Sequence, residues 1–560
     1  MRIRVHETDV LIIGGGLAAA RAAIEAGSQG VSVALVAKAP IGKSGASTMA
    51  GGGLAAAVNE ENDSPAVHYD DTLAAGRGLT DRELARILTQ EAPARVRDLI
   101  DYGVQIDRKD GEVTLRPTPG HSNSRQIHSV GGGVGYLLPL RRKALSYPNV
   151  SLHEDVMALR LLTDGGRAAG ALCYDIKTGG LSAFLARATI LATGGYQELY
   201  PLSSASVDMT GDGYALAFEA GAELVDMEML LYYPTALLYP PSVRGALVLY
   251  EYALRESGLG ARLVNAAGED LLHTYNPLPV RDLLSRRIFE EIRTGKGTER
   301  GGVYIDMTAS PRPPHERAQL LQKHDPFSSY LSSVGLDVAN SKLEIAPAAH
   351  TVLGGVRIDA RCQTTLPGLF AAGEVAGNLH GANRLGGNAL TETQVFGRRA
   401  GLFAAIYSRE AAPVRTSDAQ IADAACSALA VTQTRESPLD PTEIKQRIRQ
   451  TMFECAGPTK DEEGLLEGTR RIGAVMDSDL PRLFVRVDPA EFNYALQEAL
   501  EARMMAIVAR IVCQAALVRR ESRGHHYRSD YPQPDDSRPP YRTRIRLQDG
   551  ALVADTYLVS

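Results

Sequence analysis

The 560-residue sequence contains no uninterrupted apolar run of about 20 residues, the length that crosses a bilayer as a helix. The best candidate, Met504 to Leu517, carries Arg510 in its middle. No apolar leader or twin-arginine pair precedes the first predicted strand, which begins near Val10. We therefore expect a cytoplasmic protein that could reach a membrane only through another protein.

Cysteine is also scarce. The five cysteines lie far apart and form no Cys-x-x-Cys pair, whereas iron–sulfur and zinc sites need closely spaced thiolates. We predict no metal site, and we interpret the adjacent His525 and His526 as structural because no Cys or Asp stands near them at ligand spacing. The thiols are expected to be buried in a reducing compartment. They are Cys173, Cys362, Cys426, Cys455 and Cys513.

The charge balance excludes broad electrostatic attraction to nucleic acid or to an anionic membrane surface. The formal net charge is -6 and the pI is about 6.1. The composition is otherwise that of a globular protein, and the length exceeds what one hydrophobic core supports. We expect two to four domains, with small molecules and proteins as partners.

A βαβ unit opens the sequence. A buried strand, Val10 to Ile13, leads into a glycine turn, an alanine-rich helix and a second strand at Val31 to Val36. The turn, Gly14-x-Gly16-x-x-Ala19, lets a pyrophosphate approach the backbone at a helix N-terminus. The acidic residue that usually ends the second strand is absent, because the chain reads Ala37-Lys38 there. Alone, the turn fits either a dinucleotide site or simple packing of helix on sheet.

The later segments predict a discontinuous architecture. Strand-and-turn patterns recur at Ala188 to Gly195 and at Gly368 to Glu374, so the sheet is assembled from distant segments. Proline-rich loops and a predicted helix at Arg281 to Thr294 separate them. Helical periodicity dominates from about Ser417, with an amphipathic helix predicted at Asn493 to Arg519 and a final strand pair. The predicted class is α/β: a Rossmann-like domain (1–228 and 348–412), an inserted α+β capping domain (229–347), a helical domain (413–530) and an extension (531–560).

The most specific segment is His380-Gly-Ala-Asn-Arg384-Leu-Gly-Gly-Asn388. It resembles the matching block of the flavoprotein subunits of succinate dehydrogenase and fumarate reductase, a family with L-aspartate oxidase as a close relative. At least six separated motifs, from Asp9 to about Tyr541, carry this resemblance. It implies an FAD-dependent oxidoreductase acting on CH–CH groups, which reduces fumarate or oxidises succinate. It also implies that the electron partner is an iron–sulfur subunit, and that the protein lies peripherally at the inner face of a membrane through other subunits.

The resemblance extends to the cofactor site. Ser44 to Ala57 resembles the family's second flavin loop, Ala192 to Gly195 its Ala-Thr-Gly-Gly motif, and Thr210 to Gly213 its Thr-Gly-Asp-Gly motif. In this resemblance Glu374 holds ribose or ribityl hydroxyls. The implied FAD-binding residues are Gly14, Gly16, Ala19, Lys38, Ser44, Gly52, Gly53, Thr193, Gly194, Asp212, Glu374 and Asn388.

One departure from the family concerns the link to the flavin. Membrane-bound members carry a histidine, covalently bound to the flavin, just before the Gly-Gly loop. The matching position here is Ala46, and no histidine lies between Val31 and Asn59. We predict non-covalent FAD, with a lower flavin potential that favours substrate reduction over succinate oxidation.

The substrate residues are also implied by the resemblance. Arg384 and His350 bind one carboxylate, with a guanidinium fork suited to two oxygens. Arg281 gives a proton to the substrate carbon, although arginine is a weak acid with a pKa above about 12. It therefore needs a carboxylate relay, for which Glu251 and Arg255 are candidates. A structural ion pair is the alternative role for Arg281, and for Arg255 the structural and catalytic roles are equally open.

The second carboxylate clamp departs from the family. Its His-Pro-Thr is here Tyr233-Pro234-Thr235, and the Thr before the relay Glu is Tyr250. A phenol can donate to a carboxylate, but it adds no charge and occupies more volume. Either these tyrosines only pack in the cap, or they line the pocket. In the second case the substrate has one carboxylate, or a larger or aromatic second end.

Two further segments resemble the family, and three other functions stay open. Gly120 to His128 resembles a segment of aspartate oxidases and soluble fumarate reductases, which either lines the flavin face or anchors a loop. Glu521 to Pro532 resembles a signature that closes over the flavin domain.

The alternative functions are L-aspartate oxidase, a reductase of another unsaturated acid, and a non-catalytic flavin electron-transfer subunit. Retention of Arg281, His350 and Arg384 argues against the last.

Overall fold

The computed structural model describes residues 3–51, 53–59, 61–275, 278–324, 327–416, 418–433, 435–486 and 492–559. The strands are β1 Arg4–Ile13, β2 Val33–Ala37, β3 Leu54–Ala55, β4 Arg108–Lys109, β5 Glu112–Val113, β6 Leu115–Arg116, β7 Gln126–Ile127, β8 Val150–Glu154, β9 Val156–Asp164, β10 Arg167–Asp175, β11 Leu181–Leu191, β12 Leu224–Val225, β13 Leu230–Leu237, β14 Arg262–Val264, β15 Val303–Asp306, β16 Lys342–Val352, β17 Gly355–Val356, β18 Leu369–Ala371, β19 Tyr541–Gln548 and β20 Ala551–Leu558. The α-helices are α1 Leu17–Ser28, α2 Ala46–Met49, α3 Pro65–Ala75, α4 Arg82–Asp101, α5 Gly132–Ala144, α6 Asp212–Glu219, α7 Tyr250–Ala253, α8 Arg281–Arg293, α9 Pro314–His324, α10 Phe327–Ser333, α11 Asn388–Glu410, α12 Asp418–Leu429, α13 Pro441–Ala456, α14 Glu462–Ala474 and α15 Tyr494–Val518.

The main sheet has the order β8-β2-β1-β11-β10-β9, with β18 also paired to β11. The pairs among β8, β2, β1, β11 and β18 are parallel, and β10 and β9 continue the sheet antiparallel. Sheet assembly from distant segments and the predicted α/β class are thus confirmed. The strand and turn predicted at Ala188 to Gly195 are both present: β11 ends at Leu191, and Ala192 to Gly195 continue past the sheet without strand structure.

The glycine turn after β1 requires glycine for a steric reason. Gly14 has a φ of +134°, and a Cβ built on it would lie 2.1 Å from the carbonyl oxygen of Ala192. The turn therefore passes directly against the chain leaving β11, which places both glycine segments at one edge of the sheet. Because carboxyl ends of parallel strands meet at such an edge, this is where a ligand of an open α/β sheet binds.

A second sheet covers that edge. Its order is β13-β16-β15-β14, all antiparallel, and we call it the capping sheet. Its buried side chains, such as Leu237 and Ile345, pack with Ile288 of α8 into a core separate from that of the main sheet. Pairing of Tyr233 with Ala348 brings Tyr233 close to His350, with 5.7 Å between the ring centroids. The domain limits inferred from the sequence stay a prediction.

The C-terminal helices pack around α15. Predicted as amphipathic, α15 is instead buried on every side in its middle, where each residue from Met504 to Ala509 is buried. It contacts α13, α14, α6 and β20, and Arg510, directly after this stretch, is exposed. Four cysteines are buried as expected, but Cys426 on α12 is exposed. Among the described residues, no helix is long and apolar enough to cross a membrane.

A buried arginine joins the end of α15 to the β12 region. Arg519 is fully buried, and its guanidinium donates to Asp226 and Glu521 at 2.9 Å each and also to Glu228. Burial lowers the pKa of Arg519, but the Glu228 and Asp226 carboxylates outweigh it and hold that pKa above its ordinary value. The ion pairs therefore fix the helical domain against the rest of the chain.

Replacing Arg519 with Met is expected to lower the free energy of unfolding by about 3 kcal/mol, because it leaves buried carboxylates without their shared cation. The denaturant midpoint measures this loss. Arg520, the exposed neighbour, provides the matched control Arg520→Met, which should stay within about 0.5 kcal/mol of the parent. Equal effects of the two substitutions would show that the buried ion pairs of Arg519 contribute nothing to the free energy of unfolding.

Candidate active site

A cavity of about 1380 Å³ lies between the main sheet and the capping sheet. The turns after β1, β2, β11 and β18 open into it, as do α2 and the start of α6. Gly52 lies outside the described residues. The cavity brings together most of the residues predicted to hold the cofactor: Gly14, Gly16, Lys38, Ser44, Gly53, Thr193, Gly194, Asp212 and Glu374.

The cavity wall fits a long, anionic dinucleotide. Gly16 and Gly387 directly precede helices α1 and α11, and both glycines line the cavity. The positive N-terminal ends of these two helices therefore face the cavity. Side chains built on Gly45 and Gly51 would meet no atom within 4 Å, so the protein leaves this space open. The buried Thr193 hydroxyl has no partner in the described part of the chain and can bind a polar ligand group.

Lys38 occupies the position where an acidic residue usually ends the second strand. Its ammonium lies 2.8 Å from Asp212 and 2.8 Å from Glu501, and Glu501 also binds Lys445 at 2.8 Å. Burial lowers the pKa of Lys38, but Asp212 and Glu501 outweigh it and hold the pKa above its usual range. Asp212 from α6 is therefore the carboxylate at this end of the cavity, with Lys38 fixing it. No local pattern could have predicted Glu501, which comes from α15.

Glu374 follows β18 and is held by two donors. Gln197 Nε2 donates to Glu374 Oε1 at 2.6 Å, and the backbone N–H of Val352 donates to the same oxygen at 2.9 Å. Burial raises the pKa of Glu374 from 4.5 to about 7. The carboxyl group thus titrates near neutrality at the place where the cofactor hydroxyls are expected.

The stability of FAD-free protein should fall as the pH rises from about 5 to about 7. The folded protein keeps the Glu374 proton up to a pKa of about 7, whereas the unfolded chain loses it near 4.5, so this contribution to stability is present at low pH and lost across that window. The melting temperature measured against pH tests this. Glu374→Gln should flatten the slope, and parallel curves for both proteins would contradict it.

The substrate residues implied by the sequence lie in the same cavity: His350, Arg384, Arg281, Glu251 and Tyr233. Arg384 makes no ion pair or hydrogen bond within the described ranges, and its Nε is buried without a partner. Burial, followed by the charge of Arg281, lowers the pKa of Arg384 to about 10. Arg384 is half-buried, and a partly desolvated cation without a protein partner is favourable mainly when an anion joins it, so Arg384 can receive one.

His350 stands beside this cation as a neutral imidazole. Burial and the charge of Arg384 hold the pKa of His350 well below its usual range. Its Nδ1 lies 2.8 Å from the Ser204 hydroxyl, which leaves Nε2 without a partner among the residues described. When the Ser204 hydroxyl donates to Nδ1, the Nε2 proton can be donated to a carboxylate. Sequence reasoning missed Ser204, because no motif connects it to His350.

Arg281 begins α8 and is paired with Glu251. Its Nη2 lies 3.5 Å from Glu251 Oε1, and its Cζ lies 4.9 Å from the centre of the Tyr233 ring. The Nε of Arg281 is buried without a partner in the described chain. The Arg281–Glu251 pair is thus formed, but its distance is long for an ion pair.

The two tyrosines that replace the family's donors are both buried. Tyr233 lines the cavity and donates to Glu251 Oε2 at 3.5 Å, and it meets Tyr250 edge to face at 6.0 Å. Burial, then the Glu251 charge, raises the pKa values of Tyr233 and Tyr250, so both phenols stay protonated. Of the two interpretations offered by the sequence, lining the pocket applies to Tyr233. Tyr250 does not line the cavity and packs against the ring of Tyr233.

Three residues assigned from the sequence, in addition to Tyr250, do not reach the cavity. Arg255 is exposed after the end of α7, so the structure does not bring it to the proton relay. Ala19 is fully buried within α1, one residue beyond the lining. The Asn388 amide binds His68 at 2.8 Å and Thr72 at 3.0 Å, so it faces away from the cofactor space.

The Gly120 to His128 segment is mainly an anchored loop. Arg125 is buried and binds Asp63 at 2.8 Å and Asp71 at 2.6 Å. His121 Nε2 lies 2.7 Å from the carbonyl oxygen of Gly386, which ties the loop to the glycine motif. His128 lines the cavity. The segment therefore holds the glycine motif that contains Arg384 in place, through the contact of His121 with Gly386.

The parallel strands of the main sheet, the glycine turn at a helix N-terminus and a cavity whose Arg384 has no partner within the described residues are features of a dinucleotide-binding oxidoreductase. The sequence matches the family described as FAD binding domain over residues 9–390, and the one described as fumarate reductase flavoprotein C-term over residues 445–553. The chain belongs to this family of FAD-dependent oxidoreductases, and its cofactor is FAD. The family resemblance seen in the sequence is thereby confirmed.

Similar proteins cover almost the whole chain. Methanothermobacter marburgensis has a similar fumarate reductase (CoM/CoB) subunit, which is 38% identical over 98% of both chains. L-aspartate oxidase of Streptomyces coelicolor is 33% identical over 98% of this chain and 92% of its own. Among solved structures, Mycobacterium smegmatis Sdh1 is 34% identical with a TM-score of 0.93, over 100% of this chain and 95% of its own.

Proposed function

We propose that this chain is the flavoprotein subunit of an enzyme that reduces the double bond of fumarate or a fumarate-like acid, or catalyses the reverse oxidation of succinate. The observation that carries this proposal is the unpaired guanidinium of Arg384 beside neutral His350 and the Arg281–Glu251 pair, all within the FAD-binding cavity. Such a site binds a carboxylate and offers a proton next to it.

The chain's own residues perform the binding and proton steps. Arg384 holds both oxygens of one carboxylate, and His350 Nε2 donates to it. When bound, reduced FAD supplies two electrons and one hydrogen, as a hydride, to one alkene carbon. Arg281 gives a proton to the other alkene carbon, and Glu251 returns a proton to Arg281. The alkene thus gains two electrons and two hydrogens and becomes a saturated acid.

The electrons are proposed to come from a separate iron–sulfur subunit. The relatives from Methanothermobacter marburgensis and Mycobacterium tuberculosis are both named as fumarate reductase subunits, which supports a multi-subunit enzyme. We place this enzyme in the cytoplasm, with any membrane contact made by its partners. Non-covalent FAD is part of the proposal, because Ala46 lines the cavity where a linking histidine would stand.

Viologen-coupled turnover tests the proposal. Purified FAD-loaded protein with reduced methyl viologen should oxidise the dye when an unsaturated acid is added, and form the saturated acid in equal amount. L-aspartate oxidase is the second candidate, because relatives with that name reach 33% identity over 98% of this chain. Formation of iminoaspartate from aspartate without reduction of any acid would favour it. Electron exchange with a partner but no turnover of either kind would indicate a non-catalytic subunit.

A further inference from the structure

We propose that Gln197 is a positioning residue that couples the FAD site to the carboxylate site, so that a ligand bound at either site tightens binding at the other. This inference rests on the proposed function, which assigns the substrate carboxylate to Arg384 and His350. It comes from one buried amide that contacts a residue of each site.

The Gln197 side chain lies between the two sites. It is fully buried, and it begins the single 3₁₀ turn that follows the Ala192 to Gly195 segment. Its Nε2 donates to Glu374 Oε1 at 2.6 Å and to the backbone carbonyl oxygen of His350 at 3.1 Å. Glu374 and His350 both line the cavity. One amide group therefore contacts a residue expected to hold the cofactor and a residue expected to hold the substrate.

The neighbours of Gln197 set the orientation of its amide. If the amide were turned over, Oε1 would face the carbonyl oxygen of His350 and the ionised Glu374 carboxylate, which both accept hydrogen bonds. In the structure Oε1 is instead buried without a partner within the described residues. It lies 2.4 Å from the position that a Cβ on Gly195 would occupy, so Gly195 leaves the room that the amide needs.

Glu374 also holds the end of β16, the strand that carries His350. The backbone N–H of Val352 donates to Glu374 Oε1 at 2.9 Å, and Gln197 adds the contact with His350 on the same strand. Both donors to the Glu374 carboxylate bind Oε1. Oε2 has no partner in the described part of the chain, so it is available to a cofactor hydroxyl in the cavity.

These contacts give a physical reason for coupling. A cofactor hydroxyl on Glu374 Oε2 would order the carboxyl group, and with it the Gln197 amide and the backbone of His350. A ligand that orders shared groups lowers the entropic cost of binding the second ligand. The effect is reciprocal, so the carboxylate should tighten FAD binding by the same factor by which FAD tightens carboxylate binding.

Titration of FAD-free protein with FAD, followed by quenching of flavin fluorescence, measures the coupling. Succinate at saturating concentration is the probe for the carboxylate site. In the parent we expect succinate to lower the Kd for FAD by about tenfold. Gln197→Met keeps the length of the side chain but removes both hydrogen bonds, so the same ratio of Kd values should fall below about threefold.

Gln394→Met is the matched control. Gln394 is also buried, and its amide donates to Thr393 at 3.0 Å. Its described contacts include neither Glu374 nor His350, so Gln394→Met should keep the parental ratio. A purely structural role of Gln197 would weaken FAD binding in Gln197→Met but leave the ratio unchanged.

The outcomes separate this inference from the proposed function. If the parent shows no effect of succinate and no viologen-coupled turnover of any unsaturated acid, the proposed function fails. If the parent reduces an acid but the saturated product leaves the Kd for FAD unchanged, or if Gln197→Met keeps the parental ratio, the coupling through Gln197 is overturned. Should Gln197→Met fail to fold, Gln197→Asn replaces it in the same titration, because its shorter amide cannot reach both acceptors.

Discussion

Replacing Arg281 with Gln is expected to abolish turnover while FAD stays bound. Arg281 lies 3.5 Å from Glu251, the carboxylate of the proposed proton relay. It is the first residue of α8 and lines the cavity. General acid catalysis typically contributes about 10² to 10⁴-fold to a rate, so kcat should fall by that factor. Viologen oxidation measures kcat, and flavin absorbance measures bound FAD.

Arg293→Gln is the control on the same helix. Arg293 lies in the last turn of α8 and pairs with Glu290 at 3.1 Å on the surface, so its loss should leave kcat within error of the parent. Arg281→Lys keeps the charge but shortens the reach of the donor, and it should remain inactive. An Arg281→Lys or Arg281→Gln variant with near-normal turnover would give Arg281 a structural role and require another proton donor.

Replacing Arg384 with Met should strongly weaken substrate binding while leaving the stability of the protein unchanged or higher. Hydrogen bonds to charged groups contribute about 1.5–3 kcal/mol each, so loss of a two-oxygen contact should lower kcat/KM by about 10²-fold or more. The same change removes a half-buried guanidinium that has no ion pair in the described chain, so the melting temperature should stay level or rise. Few residues combine these two effects.

Arg384→Lys supplies the comparison. It keeps the positive charge but lacks the planar fork, so kcat/KM should lie between that of the parent and that of Arg384→Met. Turnover assays measure kcat/KM, and differential scanning calorimetry measures the melting temperature. If Arg384→Met unfolds several degrees lower and still binds the acid with parental affinity, Arg384 serves the fold and the carboxylate site must lie elsewhere.

Much of the fold was predictable because it depends on local patterns. The glycine turn and the helix at Arg281 were placed to within a few residues, since both have short-range signatures, whereas β1 begins at Arg4, well before the predicted start at Val10. The predicted amphipathic helix near Met504 was wrong in its middle, because helices from both neighbouring segments cover α15. The burial of α15 depends on contacts with residues that are distant in the sequence, so a short sequence segment cannot predict it.

The site was predictable in its members but less so in their roles. His350, Arg384, Arg281 and Glu251 do share one cavity, although they come from segments that lie far apart in the chain. Arg255 is close to Glu251 in sequence, yet it points to solvent. Helix α7 ends before Arg255, and the turn that follows directs its side chain outward.

The sequence by itself determined the class of chemistry: a glycine turn for a dinucleotide, and a histidine and an arginine among glycines for an acid. These follow from residue type and short spacing, which the chain carries in any conformation. Only the tertiary structure decided which charges are neutralised. Lys38, Arg116 and Arg281 each meet a carboxylate, and Arg384 meets none among the residues described, because ion pairing depends on the packing of distant segments against one another.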